Sequence, residues 1–290
     1  MAYKILLPSD INLEPFFPLK VKMICAENGH CYSWHGHQFC EIGYTVSGSA
    51  EHITRSSRRI LKKGDIYLLQ PGESHEIHVI SNWQMYNVLF LPALVEDEIF
   101  AMTSVPQLID FFLYTFILDR ASGIDLHADE EKQAEIIRLV SSLEKPAVFS
   151  ARLGSIFSMH QLLCLFVLFA DIFHSSLKNP TSIADFIRVI RLIENMIANG
   201  KEPGVNALAG SFGYTPEYFT TLFKKKTGKS LKDYILMRKI TKACVLLLKS
   251  PLNNTQIALS LGFYDLAHFN RYFKKITSLT PGNYRKKTGF

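Results

Sequence analysis

The chain has 290 residues, enough for two domains with cores of their own, and an apolar fraction of 48% that fits a soluble globular protein. Its charge is divided. Residues 1–178 carry 14 Lys/Arg against 20 Asp/Glu and residues 179–290 carry 18 against 6, so an acidic body precedes a basic C-terminal third of the kind that binds nucleic acid. Five cysteines without CxxC spacing exclude a disulfide framework and point to free thiols in a reducing cytosol. No signal peptide opens the chain, and the most apolar run, Leu162 to Ala170, falls short of the roughly 20 residues of a membrane span.

From Val21 to Leu91, short β-branched and aromatic runs punctuated by turn residues predict strands. They cover Glu41–Val46 before Ser47-Gly48-Ser49, Ala50–Thr54, Asp65–Leu69 before Pro71-Gly72, Glu76–Ile80 and Met85–Leu91. With only polar turns between them, an antiparallel barrel or sandwich is expected. Near Pro92 the texture becomes helical. Asp129–Leu143 is amphipathic, and Arg152–Leu177 carries more apolar surface than one surface helix needs, for packing on the barrel or for dimerisation. The expected fold is therefore α+β with two domains: a sensing barrel over 1–92 with a helical extension over 93–178, a linker over 179–182, and an all-α domain over 183–290.

In that last domain, helices are expected over Ser182–Asn199, Val205–Phe212, Thr215–Thr227, Leu231–Lys249, Thr255–Leu261 and Asp265–Ile276. One pattern occurs twice there. Leu208-Ala209, Gly213-Tyr214, Phe219, Phe223-Lys224-Lys225, Thr227 and Tyr234 return as Ile257-Ala258, Gly262-Phe263, Phe269, Phe273-Lys274-Lys275, Thr277 and Tyr284. The offset is 49 up to the glycines and 50 beyond them, so the second turn holds one extra residue. Two helix-turn-helix units are the simplest reading. Their second helices leave Glu217, Thr220 and Thr221, and Ala267, His268, Asn270 and Arg271, free to read bases in the major groove. Lys224, Lys225, Lys274, Lys275 and Arg285 are the expected phosphate contacts.

These residues resemble the AraC/XylS family of bacterial transcription regulators over about 182–287, most clearly in Ile257-Ala258, Gly262-Phe263, His268-Phe269, Arg271-Tyr272-Phe273-Lys274-Lys275, Thr280-Pro281 and Tyr284-Arg285. Ser278 departs from the family, which has Gly at that place most often. The resemblance implies a cytoplasmic homodimer that binds promoter DNA and acts on RNA polymerase or by occlusion. The run from Phe273 to Lys287 is most like sugar-operon regulators of the chitobiose type.

Gly29, His35, His37, Glu41 and Gly48, followed by Gly64, Gly72 and His75, resemble the two cupin motifs. In metal-binding cupins the matching histidines and glutamate converge on one divalent ion. His35 and His37 stand two apart on a strand and share a face, so chelation is open to them. Sensor domains of AraC-type regulators often use the same barrel for a sugar or other small effector. Three readings of His35, His37, Glu41 and His75 therefore stand: an effector pocket with Trp34 as a stacking surface, a divalent metal site, or buried structural histidines. A ligand-responsive regulator without enzymatic activity is the leading expectation, and a metal-dependent cupin enzyme tethered to DNA is the alternative.

Overall fold

Two long strands organise the N-terminal part of the chain. The structure, a computed structural model, describes residues 4–13, 18–102, 104–117, 124–145, 151–176, 181–277 and 279–288 and divides into two compact units, Met1–Pro180 and Thr181–Phe290. The first unit contains β1 (Lys4–Leu6), β2 (Leu19–Ala26), β3 (Cys31–His37), β4 (Cys40–Thr54), β5 (Arg58–Lys62), β6 (Asp65–Leu69), β7 (Ser74–Phe90) and β8 (Ile124–His127). β4 and β7 each replace two expected strands. The turn expected at Ser47-Gly48-Ser49 is a bulged stretch, in which Gly48 holds a φ of 73° and Asn82 O fills the space a Cβ would need. Glycine lets β4 bend there and continue.

Ladders run in the order β1-β3-β7-β4-β6-β8, with β2 on β7 and β5 on β4 as branches. No ladder joins β1 to β8 among the described residues, so the pairing is an open sheet where a closed barrel was expected. β7 is the branch point: it pairs β3 through its first half and β2 through its second while β4 holds its other edge. β1 pairs β3 in parallel, against the antiparallel expectation. β8, from a stretch read as helical, extends the sheet beyond β6.

Helices α1 (Glu96–Ala101), α2 (Pro106–Phe112), α3 (Glu130–Glu144) and α4 (Ala151–Ser176) follow the long strands. Asp129 caps α3 by accepting from Lys132 N. Phe166 of α4 meets Phe90 of β7 at 5.6 Å between ring centres, and Phe111 and Phe116 complete the cluster. Each fully buried phenylalanine stabilises by roughly 2 to 3 kcal/mol. Leu153–Ser176 is long and apolar enough to cross a membrane, longer than the run marked in the sequence, and half of its most apolar window is buried. Its other face leaves Leu153, Ile156, Phe157 and Val167 exposed.

The second unit holds α5 (Thr181–Ala198), α6 (Val205–Ser211), α7 (Pro216–Thr227), α8 (Leu231–Lys249), α9 (Asn254–Ser260), α10 (Leu266–Thr277) and α11 (Pro281–Thr288). Residues 179 and 180 of the expected linker, and Ser278, lie outside the described residues. Thr181 and Ser182 already belong to α5. Phe219 and Phe223 anchor α7 in the core, while Phe269 and Phe273 anchor α10 against Ile240, Ala243 and Leu247 of α8. α5 is tied to α8 by a buried clamp: Arg238 donates to both Glu194 oxygens at 2.7 and 3.1 Å, and Tyr234 OH donates to Oε1 at 2.9 Å.

Candidate effector cavity and nucleic-acid interface

The concave face of the sheet encloses a cavity of about 170 Å³ whose walls include Ile24, Ile77, Met85 and Leu89, and whose polar floor is built from His35, Glu41, Tyr67, His75 and Asn87. Gly43 explains the floor. It pairs with Tyr67 on one side and Asn87 on the other, and a Cβ on it would overlap the Tyr67 ring. Without one, Tyr67 OH donates to Glu41 Oε1 at 2.8 Å and Asn87 Nδ2 to the same oxygen at 3.2 Å. Burial penalises the Glu41 charge, but His75, His37 and the Tyr67 hydroxyl outweigh it and hold the carboxyl at about 2, so Glu41 is ionised at neutral pH.

Hydrogen bonds assign the imidazole tautomers. His37 Nδ1 lies 2.7 Å from Phe39 O and His35 Nδ1 lies 2.8 Å from Ser33 O. A carbonyl only accepts, so both Nδ1 atoms carry a proton. His75 Nε2 hydrogen-bonds His35 Nε2 across 3.1 Å, and His52 Nε2 hydrogen-bonds His75 Nδ1 across 2.9 Å. Burial keeps His75 well below the usual histidine range and brings His52 down to about 4, so these two rings are neutral at neutral pH. His37 Nε2 is buried without a hydrogen bond and lies 3.4 Å from Glu41 Oε2.

His35, Glu41 and His75 therefore meet at the cavity, and His37 stands directly behind Glu41. Trp34 does not belong with them. It is half-buried and lies outside the cavity lining, where Trp83 stands instead, because a bulge between Tyr32 and His35 interrupts the alternation of β3. Tyr67, Asn87 and His52 were missed in the sequence. The signal for the first two was Gly43, a glycine inside a strand, which marks a close approach by a neighbour. The ligand atoms of His37, Glu41 and His75 lie within 4.8 Å of one another. This donor set fits a divalent cation if His75 carries its proton on Nδ1 and His52 accepts it.

In the second unit, α6/α7 and α9/α10 share the same turn, cap and helix-end hydrogen bonds. Gly213 and Gly262 both hold a φ of 68°, and Tyr214 N and Phe263 N donate to Ala209 O and Ala258 O, each at 2.9 Å. Thr215 and Asp265 cap the second helices by accepting from Tyr218 N and His268 N. At the far ends Thr227 Oγ1 and Thr277 Oγ1 donate to Phe223 O at 2.9 Å and Phe273 O at 2.8 Å.

Glu217, Thr220 and Thr221 are exposed on α7, where both threonine hydroxyls donate to Glu217 O at 3.0 Å. Ala267 and Arg271 are exposed on α10, with the Arg271 guanidinium 5.1 Å from the Tyr272 ring centre. His268 and Asn270 are half-buried; His268 Nδ1 and Asn270 Oδ1 make no hydrogen bond among the described residues. Lys224, Lys225, Lys274 and Lys275 are exposed in the last turns of the two helices. Arg285 departs from the phosphate expectation. It turns inward and donates to Leu247 O and Leu252 O, satisfying carbonyls that the end of α8 leaves open.

Comparison with known proteins agrees with this division. The AraC-like ligand binding domain matches residues 22–163 and the helix-turn-helix domain matches residues 208–287. The transposon Tn10 TetD protein of Escherichia coli is 43% identical over 79 residues, 27% of this chain and 57% of TetD. The HTH-type transcriptional activator RhaR of Klebsiella pneumoniae is 18% identical over 283 residues, 96% of this chain and 97% of RhaR. The chain thus spans just over half of TetD and nearly all of RhaR. The structure of ToxT from Vibrio cholerae is 11% identical, covers 94% of this chain and 99% of its own, and superposes with a TM-score of 0.42. The chain belongs to the AraC family of helix-turn-helix transcription regulators, with an AraC-like ligand-binding domain ahead of the helix-turn-helix domain.

Proposed function

We propose that the chain is a cytoplasmic transcription regulator that binds double-stranded promoter DNA through two helix-turn-helix units and responds to a small effector in the sheet cavity. The carrying observation is the repetition of α6/α7 by α9/α10 down to single turn hydrogen bonds, with a polar face and lysines left exposed on each second helix. Recognition helices joined by the rigid α8 suit successive major-groove segments about 34 Å apart. Arg271 suits guanine, Asn270 suits adenine, and Ala267, Thr220 and Thr221 suit thymine methyls. Glu217 and His268 complete the two reading faces, and Lys224, Lys225, Lys274 and Lys275 neutralise phosphates.

The cavity floor favours an effector rich in hydrogen-bond donors, a sugar or amino sugar, over a carboxylate or phosphate. Ionised Glu41 in the floor requires donors, and an anion seated on the floor would meet its charge, with Lys22 as the cation of the lining. A divalent cation held by His37, Glu41 and His75 is a second reading, supported by the clustering of their ligand atoms. Such an ion would supply a fixed positive charge for effector oxygens. Metal analysis of the purified chain separates the two, with stoichiometric metal lost in His37→Ala favouring the ion.

Homodimerisation through the exposed face of α4 and activation by contact with RNA polymerase complete the proposal; RhaR is named an activator. A mobility-shift titration of promoter DNA with rising salt, with and without a panel of sugars, tests it. Sequence-preferring, salt-sensitive binding altered by one of the sugars is expected. No shift at any salt concentration would overturn it.

A further inference from the structure

The extra residue in the second turn can be identified. Both turns begin with the same hydrogen bond, Tyr214 N to Ala209 O and Phe263 N to Ala258 O, and both second helices begin with a capping side chain, Thr215 and Asp265. Tyr214 is followed directly by its cap. Between Phe263 and Asp265 stands one additional residue, Tyr264. The residue is 92% exposed, the highest value among the exposed large hydrophobics of the described residues. The phenol therefore contributes almost nothing to the core, although an aromatic of this size buries about 150 to 250 Å² when it packs.

Position gives that exposure a use. Tyr264 shares one open depression with Asp265, Ala267, His268 and Arg271, at the beginning of the helix that carries Asn270 and Arg271. A side chain that stands out from the turn before a recognition helix reaches the wall of the groove that the helix enters. Its hydroxyl can donate to a phosphate oxygen, and its ring can lie against a sugar or a thymine methyl. The first helix pair has no residue at this place, since Tyr214, the match of Phe263, is followed directly by the cap Thr215; its exposed aromatic, Tyr218 at 55%, stands on α7 itself with its ring 5.1 Å from that of Tyr214.

We propose that Tyr264 is a DNA-contacting residue that anchors the start of α10 on its half-site and makes the second helix pair the stronger of the two. The proposal rests on the DNA-binding reading of the α10 face. It commits to DNA as the partner, with a contact to RNA polymerase as a competing outcome of the test.

The experiment uses the full chain and a duplex selected by the wild-type chain from a random-sequence pool. Tyr264→Ala is expected to weaken binding to that duplex about tenfold, with an unchanged unfolding temperature. Tyr264→Phe separates the hydroxyl from the ring: partial recovery assigns the remainder to the ring. Affinity within twofold of wild type in Tyr264→Ala overturns the proposal and leaves the DNA-binding reading intact. Unchanged affinity with lost transcription in a reconstituted polymerase assay also overturns it and assigns the residue to the polymerase. If the wild-type chain selects no duplex, the underlying reading fails and the proposal falls with it.

Discussion

Tyr67 donates its hydroxyl proton to Glu41 Oε1 across 2.8 Å, and Gly43, two residues along the same strand from Glu41, leaves the space that its ring occupies. This contact is one of those that let a carboxylate stay charged while buried. Tyr67→Phe should weaken the N-terminal unit by about 1.5 to 3 kcal/mol, the range for a hydrogen bond to a charged group. Gly43→Ala should act in the same direction by displacing the ring. Urea unfolding of the three proteins checks both; a Gly43→Ala chain as stable as wild type would contradict this account of the floor.

Acid should unfold the N-terminal unit in two stages. His52 is held at about 4 by burial, below its ordinary 6.5, so the unfolded chain takes up a proton that the folded one refuses, and stability falls as pH drops from 6.5 toward 4. The Glu41 carboxyl lies at about 2 against an ordinary 4.5. Its contribution is complete above 4.5 and is lost as pH falls toward 2. Each group accounts for a loss on the order of 3 kcal/mol. His75, also held low by burial, likewise costs stability as the pH falls below 6.5, so circular dichroism at a series of pH values should show the first stage reduced in His52→Gln.

Arg285 and Lys225 should behave as opposites. Arg285 donates to two backbone carbonyls near the end of α8, so Arg285→Ala should lower the stability of the C-terminal unit and leave the salt dependence of DNA binding unchanged. Lys225 is exposed at the end of α7. Lys225→Ala should leave stability unchanged, weaken binding to all duplexes alike and lower the salt slope by about 1. Thermal melts with salt titrations of both variants would show whether the inward arginine has been assigned correctly.

The exposed side of α4 should hold two copies of the chain together. Ile156, 51% exposed, and Val167, 48% exposed, fall on the face turned away from the phenylalanine cluster. Ile156→Glu with Val167→Glu should give a monomer in analytical ultracentrifugation, because paired carboxylates cannot be buried at an apolar contact. An unchanged mass would move the dimer contact elsewhere.

The helical unit was legible because its signals are local. Caps at Thr215, Ser230 and Asn253, glycines in the turns, and paired phenylalanines four apart all act within a few residues, and the expected helix boundaries fall within one residue of the structure. The sheet was legible in composition but not in connection. Gly48 looks like a turn in one dimension and is a bulge in three, because what decides it is the approach of Asn82 from a strand 34 residues away. The site shows the same split. His35, Glu41 and His75 could be found from spacing, while Tyr67 and Asn87 arrive from other strands and His52 joins through a ring contact invisible to any motif. Arg285 looked like a surface cation because sequence does not reveal which carbonyls a folded chain leaves unpaired.

The most direct test of sequence-specific DNA binding compares the wild-type chain and Arg271→Ala on a selected duplex and its scrambled counterpart across a salt series. The account predicts that wild-type affinity falls steeply with salt and favours the selected duplex by about a thousandfold or more, and that Arg271→Ala keeps the salt dependence but loses about ten- to a hundredfold of the preference. Equal binding of the wild-type chain to both duplexes, or an unchanged preference in Arg271→Ala, would contradict it.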